Sequence, residues 1–223
     1  MNRYRNRQRE RSGRVKRLLA GGGVVLLAIF VQSGTAGHVS AEEGQKRVLV
    51  VYYSRTGYTH SVARKIAERF DADLERLIDT RKRTGPFAVA VAGKDAVAGN
   101  RTVLKPLQAD PGEYSLILIG TPAWFGNVTP AVRTFVAEYD IAEKTAGLFG
   151  TTNLTGIEAA LDQLAGLIAP EDSPEQAREY PRLPLRQKDL KEEILDGKID
   201  AFYQEVMNSS QDNPLSSPTP TTQ

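Results

Sequence analysis

The chain has 223 residues, 29 Lys/Arg against 27 Asp/Glu, and a net charge of +2. It has no cysteine and only two histidines, His38 and His60. Disulfides, thiolate catalysis and cysteine-ligated metals are therefore excluded, and no His/Asp/Glu cluster has the spacing of a zinc site.

Residues 1–17 hold eight Lys/Arg against one acid, Glu10, followed by a mainly apolar run from Leu18 to Val31 and a small, polar stretch ending Val39-Ser40-Ala41. This is the layout of an export signal, with short side chains at the −3 and −1 positions before Glu42. The apolar run is shorter than the roughly twenty residues of a membrane span. Gln32 to Gly37 is uncharged and would extend it, so residues 18–37 are equally an anchor for an uncleaved chain. In both cases the basic flank predicts that the N-terminus stays inside and the domain is exported, secreted or periplasmic. There is no Arg-Arg pair for a twin-arginine signal. Without the leader the net charge changes sign, to −5 over residues 42–223. No basic stripe of the kind that tracks nucleic acid remains. The mildly acidic body suits a basic redox partner, although surface acidity also serves solubility alone.

Residues 45–208 suffice for one well-buried domain. The first strand is Val48 to Tyr53, and it leads into Ser54-Arg55-Thr56-Gly57-Tyr58-Thr59. Val62, Ile66 and Phe70, with Ala63 and Ala67, then give an apolar stripe at helical spacing. Hydroxyls and a glycine between a strand and a helix suit a terminal phosphate, because N–H groups and the helix dipole favour an anion there. Gly57 removes a Cβ from the approach. The same residues also make an ordinary N-cap. No lysine follows the glycine, so the turn is not a nucleoside-triphosphate loop.

Leu74 to Ile78 is the second strand, and Pro86 to Gly99 a short helix within the otherwise unreadable stretch 80–113. Leu116 to Gly120 forms a third strand, leading into Thr121-Pro122-Ala123-Trp124-Phe125-Gly126. Thr129 is placed as an N-cap with Pro130 at the first helical position, and Val132, Phe135, Val136 and Tyr139 follow at helical spacing. Ala146 to Gly150 is the fourth strand, followed by the polar loop Thr151-Thr152-Asn153-Leu154-Thr155-Gly156 and a helix marked by Ile157, Leu161, Leu164 and Ile168. Beyond a Pro/Glu-rich loop (170–179), Tyr180 to Leu185 reads as a strand whose two prolines confine it to an edge. Leu190, Ile194, Ile199, Phe202 and Val206 mark a terminal helical region interrupted at Gly197, and residues 209–223 read as a disordered tail.

Strands alternating with helices predict an α/β parallel sheet covered on both faces. Within that frame, Val50 to Thr59 continued by Ala63 and Ile66 resembles, position by position, the FMN-phosphate signature of flavodoxins. The Trp124 loop is similar to the flavodoxin loop whose aromatic side chain stacks on the flavin ring. The only tryptophan is also compatible with a half-buried core aromatic. The loop Thr152–Gly156 resembles, more weakly, the one that embraces the other edge of the ring, and is equally a cap of the next helix through Thr155. The resemblance spans residues 46–206. It implies a three-layer, doubly wound flavodoxin-like fold with strand order 2-1-3-4-5 and FMN as cofactor. It also implies contacts to FMN from Ser54, Arg55, Thr56, Gly57, Tyr58 and Thr59, from Thr121 to Gly126 (Thr121, Pro122, Ala123, Trp124, Phe125, Gly126), and from Thr152, Asn153, Leu154, Thr155 and Gly156.

All three loops follow the carboxyl ends of strands, where ligands sit in doubly wound sheets. The function this implies is an exported FMN-binding electron-transfer protein with a redox partner and no catalytic side chain. The alternatives are an FMN-dependent NAD(P)H quinone or nitro-compound reductase, and an interaction module on the same fold without flavin.

Overall fold

Strands that are apolar on both faces must be covered on both faces, and β1 (Val48–Tyr52) and β3 (Leu116–Pro122) are of this kind. The computed structural model describes residues 47–81, 88–169, Glu175, Ala177 and 180–212. The expected export signal or anchor (1–41) lies outside these residues, as do most of the loop 170–179 and the tail from residue 213. The described residues all belong to one compact unit, Glu42–Gln223.

Three further strands, β2 (Asp73–Arg76), β4 (Thr145–Thr152) and β5 (Arg182–Arg186), complete a sheet in the order β2-β1-β3-β4-β5, every pair parallel. Side chains alternate across it with the strand period of two. Val50, Tyr52, Leu118, Phe149 and Leu185 face α1 (Tyr58–Phe70) and α5 (Glu192–Asp212), where they meet Val62, Ile66, Phe70, Phe202 and Val206. Leu49, Val51, Ile117, Ile119 and Leu148 face α3 (Pro130–Glu138) and α4 (Ile157–Ile168), against Val132, Phe135, Ile157, Leu161 and Leu164. Each such side chain, fully buried, contributes about 1.5–3 kcal/mol of transfer free energy. The three-layer, doubly wound architecture is the one the sequence predicts.

The stretch 80–113 holds α2 (Ala88–Val97), within the span expected to be helical. Beyond it the chain returns along the outer edge of β2. Lys105 N–H donates to Ile78 O, Thr80 N–H to Val103 O, and the Gln108 and Ala109 N–H groups both donate to the buried Glu75 carboxylate at 3.0 Å. An exposed edge strand invites pairing with another chain, and this return segment covers it.

Four expectations need adjusting. β2 ends at Arg76 rather than Ile78, because residues 78–80 pair antiparallel with the returning segment instead. β5 is an edge strand as expected, with Pro184 beside Gly150 of β4, but runs to Arg186. Thr129 is the N-cap residue of α3, yet its hydroxyl bonds to Thr121 rather than to the helix. α5 is continuous through Gly197 and runs to Asp212, into the segment read as tail. Burial of Leu195, Ile199, Phe202 and Val206 holds this helix against the sheet despite the glycine.

A Cβ at Gly197 would meet nothing within 4 Å. Gly197→Ala is therefore expected to raise the free energy of unfolding by about 0.5–1 kcal/mol, measured by urea titration. A lower midpoint would mean that the helix breaks there.

Candidate functional site

The first loop is built by backbone geometry more than by side chains. Arg76 donates from Nη2 to Ser54 O at 2.9 Å, tying the turn to β2, and Gly57 N–H donates to Ser54 Oγ at 3.2 Å. Gly57 lies at φ +98°, a conformation that favours glycine. It is the N-cap of α1, and no side chain caps the helix. The first-turn N–H groups of a thirteen-residue helix are thus left without a side-chain acceptor at a positive dipole end. Thr56 and Tyr58, on either side of Gly57, line a pocket, and Arg55 lines it with them.

Ser54 and Thr59, expected to offer hydroxyls to the ligand, are buried behind that wall instead. Ser54 Oγ accepts from Gly57, and Thr59 Oγ1 is 2.8 Å from Thr151 Oγ1 at the end of β4. They hold the turn's shape and fasten it to the third loop. Gly57 is likewise absent from the lining.

In the second loop Trp124 and Asn127 exchange backbone hydrogen bonds at 3.0 and 3.1 Å. The residues between them, Phe125 at φ +52° and Gly126 at φ +74°, both adopt the left-handed conformation. That is routine for glycine and uncommon for phenylalanine. Phe125 is 70% exposed, and a Cβ on Gly93 of α2 would overlap its ring. Trp124 meets Tyr53 edge-to-face, with ring centroids 5.7 Å apart and planes at 82°. Pro122, Ala123, Trp124, Phe125 and Gly126 all line the pocket. Thr121 does not: it is fully buried, and its hydroxyl is engaged with Pro122 O and Thr129.

Thr152 organises the third loop, accepting from Leu154 N–H at 3.2 Å and donating to Thr155 O at 3.4 Å. Gly156, not Thr155, caps α4, at φ +84°. A Cβ on Gly156 would lie 2.8 Å from Gly126 Cα, so the second and third loops touch through two glycines. Thr152, Asn153, Leu154, Thr155 and Gly156 all face the pocket, joined by Thr151. The cavity measures about 580 Å³, within the range that encloses organic cofactors. Sequence reasoning missed Gly93, which reaches the site through α2, and gave no contact to Thr151, the first residue of the third loop, which is tied to the first loop by the Thr59 bond. Among the described residues no group of three His, Cys, Asp or Glu is placed to hold a metal ion.

His60, one turn behind the loop, lies with Nδ1 2.5 Å from the Tyr52 hydroxyl. Burial foremost, then the cations Arg76 and Arg64, lowers its pKa from the ordinary 6.5. The folded state therefore binds the His60 proton more weakly than the unfolded state does. This contribution to stability is present above the unfolded pKa of 6.5 and is lost as pH falls through the folded value. The melting temperature should drop between about pH 7.5 and about pH 5, and His60→Gln should shrink that drop. An undiminished drop in the variant would remove His60 from the account.

The sequence profile of the flavodoxin family matches residues 47–171. A curated relative, an NAD(P)H dehydrogenase (quinone) of Chromohalobacter salexigens, is 30% identical over 113 residues, 49% of this chain and 52% of the relative. The chain thus spans about half the length of that relative. A flavoprotein of Lactobacillus acidophilus NCFM, solved in complex with FMN, superposes with a TM-score of 0.50 at 21% identity, covering 71% of this chain and 99% of that one. A Bacteroides uniformis protein gives a TM-score of 0.55 at 23% identity over 70% and 98% of the two chains. At these identities the two solved structures establish the shared fold.

Proposed function

The chain belongs to the flavodoxin family, an FMN-binding family, and on that premise we propose that it is an exported electron carrier that holds FMN in this pocket. One observation carries the reading: the uncapped, left-handed start of α1 opens beside Thr56 and Tyr58 at the carboxyl edge of the sheet, where an anionic ligand is stabilised. The residues present fit the cofactor. Arg55 and the first-turn N–H groups would hold the phosphate, with Ser54 and Thr59 bracing them. Trp124 offers an indole for the ring, and the Gly126–Gly156 contact lets backbone approach its edge. Asn153 and the third-loop N–H groups would meet the polar side of the ring. When bound, FMN supplies one- and two-electron redox chemistry. The protein's part is to bind, orient and shield it. No side chain need move a proton for a one-electron transfer, so none is assigned as catalytic.

Export is part of the same proposal. The basic, apolar and small-residue succession of 1–41 supports a signal or an anchor preceding the domain at 45–208. An exported protein whose first residue is Glu42 would identify the segment as a cleaved signal. Recovery of the intact chain in the membrane fraction would identify an anchor.

A reductase remains the second reading, favoured by the name of the Chromohalobacter relative and by Gly93, which brings α2 into the pocket wall. With the FMN-loaded protein, NADPH and a benzoquinone, the carrier reading predicts no steady NADPH consumption. Sustained turnover would replace it with the reductase.

A further inference from the structure

We propose that Arg76, which lies outside the pocket, is the positioning residue that turns the Arg55 N–H towards the phosphate and so sets the preference for FMN over riboflavin. The inference rests on the FMN reading above and deepens it. Arg76 ends β2 and pairs in register with Tyr52 of β1, just before the turn. Neighbours in register share a sheet face, so Arg76 stands on the face of Tyr52, the one that α1 covers. From there its Nη2 donates to Ser54 O at 2.9 Å, and it takes no part in the pocket lining.

The Ser54 carbonyl and the Arg55 N–H belong to one planar peptide. No peptide among the described residues is cis, and in a trans peptide these two groups point in opposite directions. Arg76 holds Ser54 O on the β2 side of β1. The Arg55 N–H is therefore turned away from β2, towards the side where β3 and β4 lie and their loops close the pocket. Among the described residues no acceptor pairs with that N–H or with the Thr56 N–H after it, whereas the Gly57 N–H is already spent on Ser54 Oγ. Successive free N–H groups at a helix start form a concavity for an anion. No other donor among the described residues reaches Ser54 O. Without Arg76 this peptide could turn its carbonyl inward, and a carbonyl oxygen repels a phosphate. The bond is charge-assisted, stronger than a neutral one. No carboxylate among the described residues competes for Arg76: its neighbour Glu75 is buried on the opposite face, engaged with the Gln108 and Ala109 N–H groups.

The test titrates the full chain and its Arg76→Met variant with FMN and with riboflavin, at low and at high salt. Arg76→Met should lose about tenfold in FMN affinity, the scale of one hydrogen bond to a charged group, while its riboflavin affinity stays that of the unaltered chain. The factor between the two chains should persist at high salt, where a charge acting only through space is screened. Amide NMR of the unaltered chain reads the same peptide without any substitution. The Arg55 amide proton should shift downfield with FMN and not with riboflavin, and in Arg76→Met that shift should shrink. An equal loss for riboflavin, a loss that vanishes at high salt, or an Arg55 amide indifferent to FMN overturns the proposal. FMN bound as tightly by Arg76→Met as by the unaltered chain also overturns it, and leaves the FMN reading standing. If the unaltered chain binds neither flavin, the FMN reading fails and takes the proposal with it.

Discussion

Gly156→Ala is expected to weaken FMN binding at least about tenfold, or about 1.4 kcal/mol or more, and to destabilise the fold as well. Two costs coincide at this position. The backbone sits at φ +84°, where an L side chain carries about 1–2 kcal/mol of strain. The added Cβ would also stand 2.8 Å from Gly126 Cα, a backbone atom that cannot rotate aside. Relief requires the second and third loops to part, and these loops supply most of the pocket wall. Gly126→Ala separates the two causes, since its own Cβ would find Gly156 at an ordinary 3.8 Å and only the φ of +74° remains. Calorimetric FMN titration and urea unfolding of both variants should therefore rank Gly156→Ala well below Gly126→Ala. Equal, mild effects would show that the two loops do not form one wall.

Trp124→Ala should weaken FMN binding by about 1–3 kcal/mol, judging by aromatic stacking on bases elsewhere. The indole is braced edge-on by Tyr53 and fixed by the Trp124–Asn127 backbone pair, so it presents a preset face rather than a mobile one. Fixing the ring in advance reduces the ordering cost of binding. Trp124→Phe, which keeps a flat ring, should lose much less. As the only tryptophan, Trp124 also reports directly: its emission should be quenched as FMN binds. Wild-type affinity in the alanine variant would remove the indole from the site.

The sheet order was legible because β1, β3 and β4 each carry an apolar run, Val48–Tyr52, Leu116–Ile119 and Ala146–Phe149, and are separated by helical stripes, a pattern with few folded solutions. The loops were legible because hydroxyls, glycines and one tryptophan recur at fixed distances from those strands. What escaped was long-range. Nothing local distinguishes a threonine that faces a ligand from one that bonds Thr151, 92 residues away, as Thr59 does. Ser54 was read as a ligand donor, whereas it lies buried outside the pocket lining, with its oxygen accepting from Gly57 and its carbonyl fastened by Arg76 from β2. Gly93 enters the wall only because the return segment along β2 carries α2 to the sheet's carboxyl edge. Gly197 was read as a break, where burial of the α5 face outweighs a local penalty of about 1 kcal/mol.

The central claim is that the open start of α1 holds the phosphate of an FMN whose ring lies between the Trp124 loop and the third loop. Equilibrium titration of the full chain with FMN, and in parallel with riboflavin, tests it most directly. The account predicts one FMN per chain, quenched flavin and Trp124 emission, and riboflavin binding at least about tenfold weaker, since it lacks the charge-assisted hydrogen bonds of the phosphate. FMN that stays free in solution would contradict the flavin reading altogether. Riboflavin binding as tightly as FMN would contradict the role of the α1 turn.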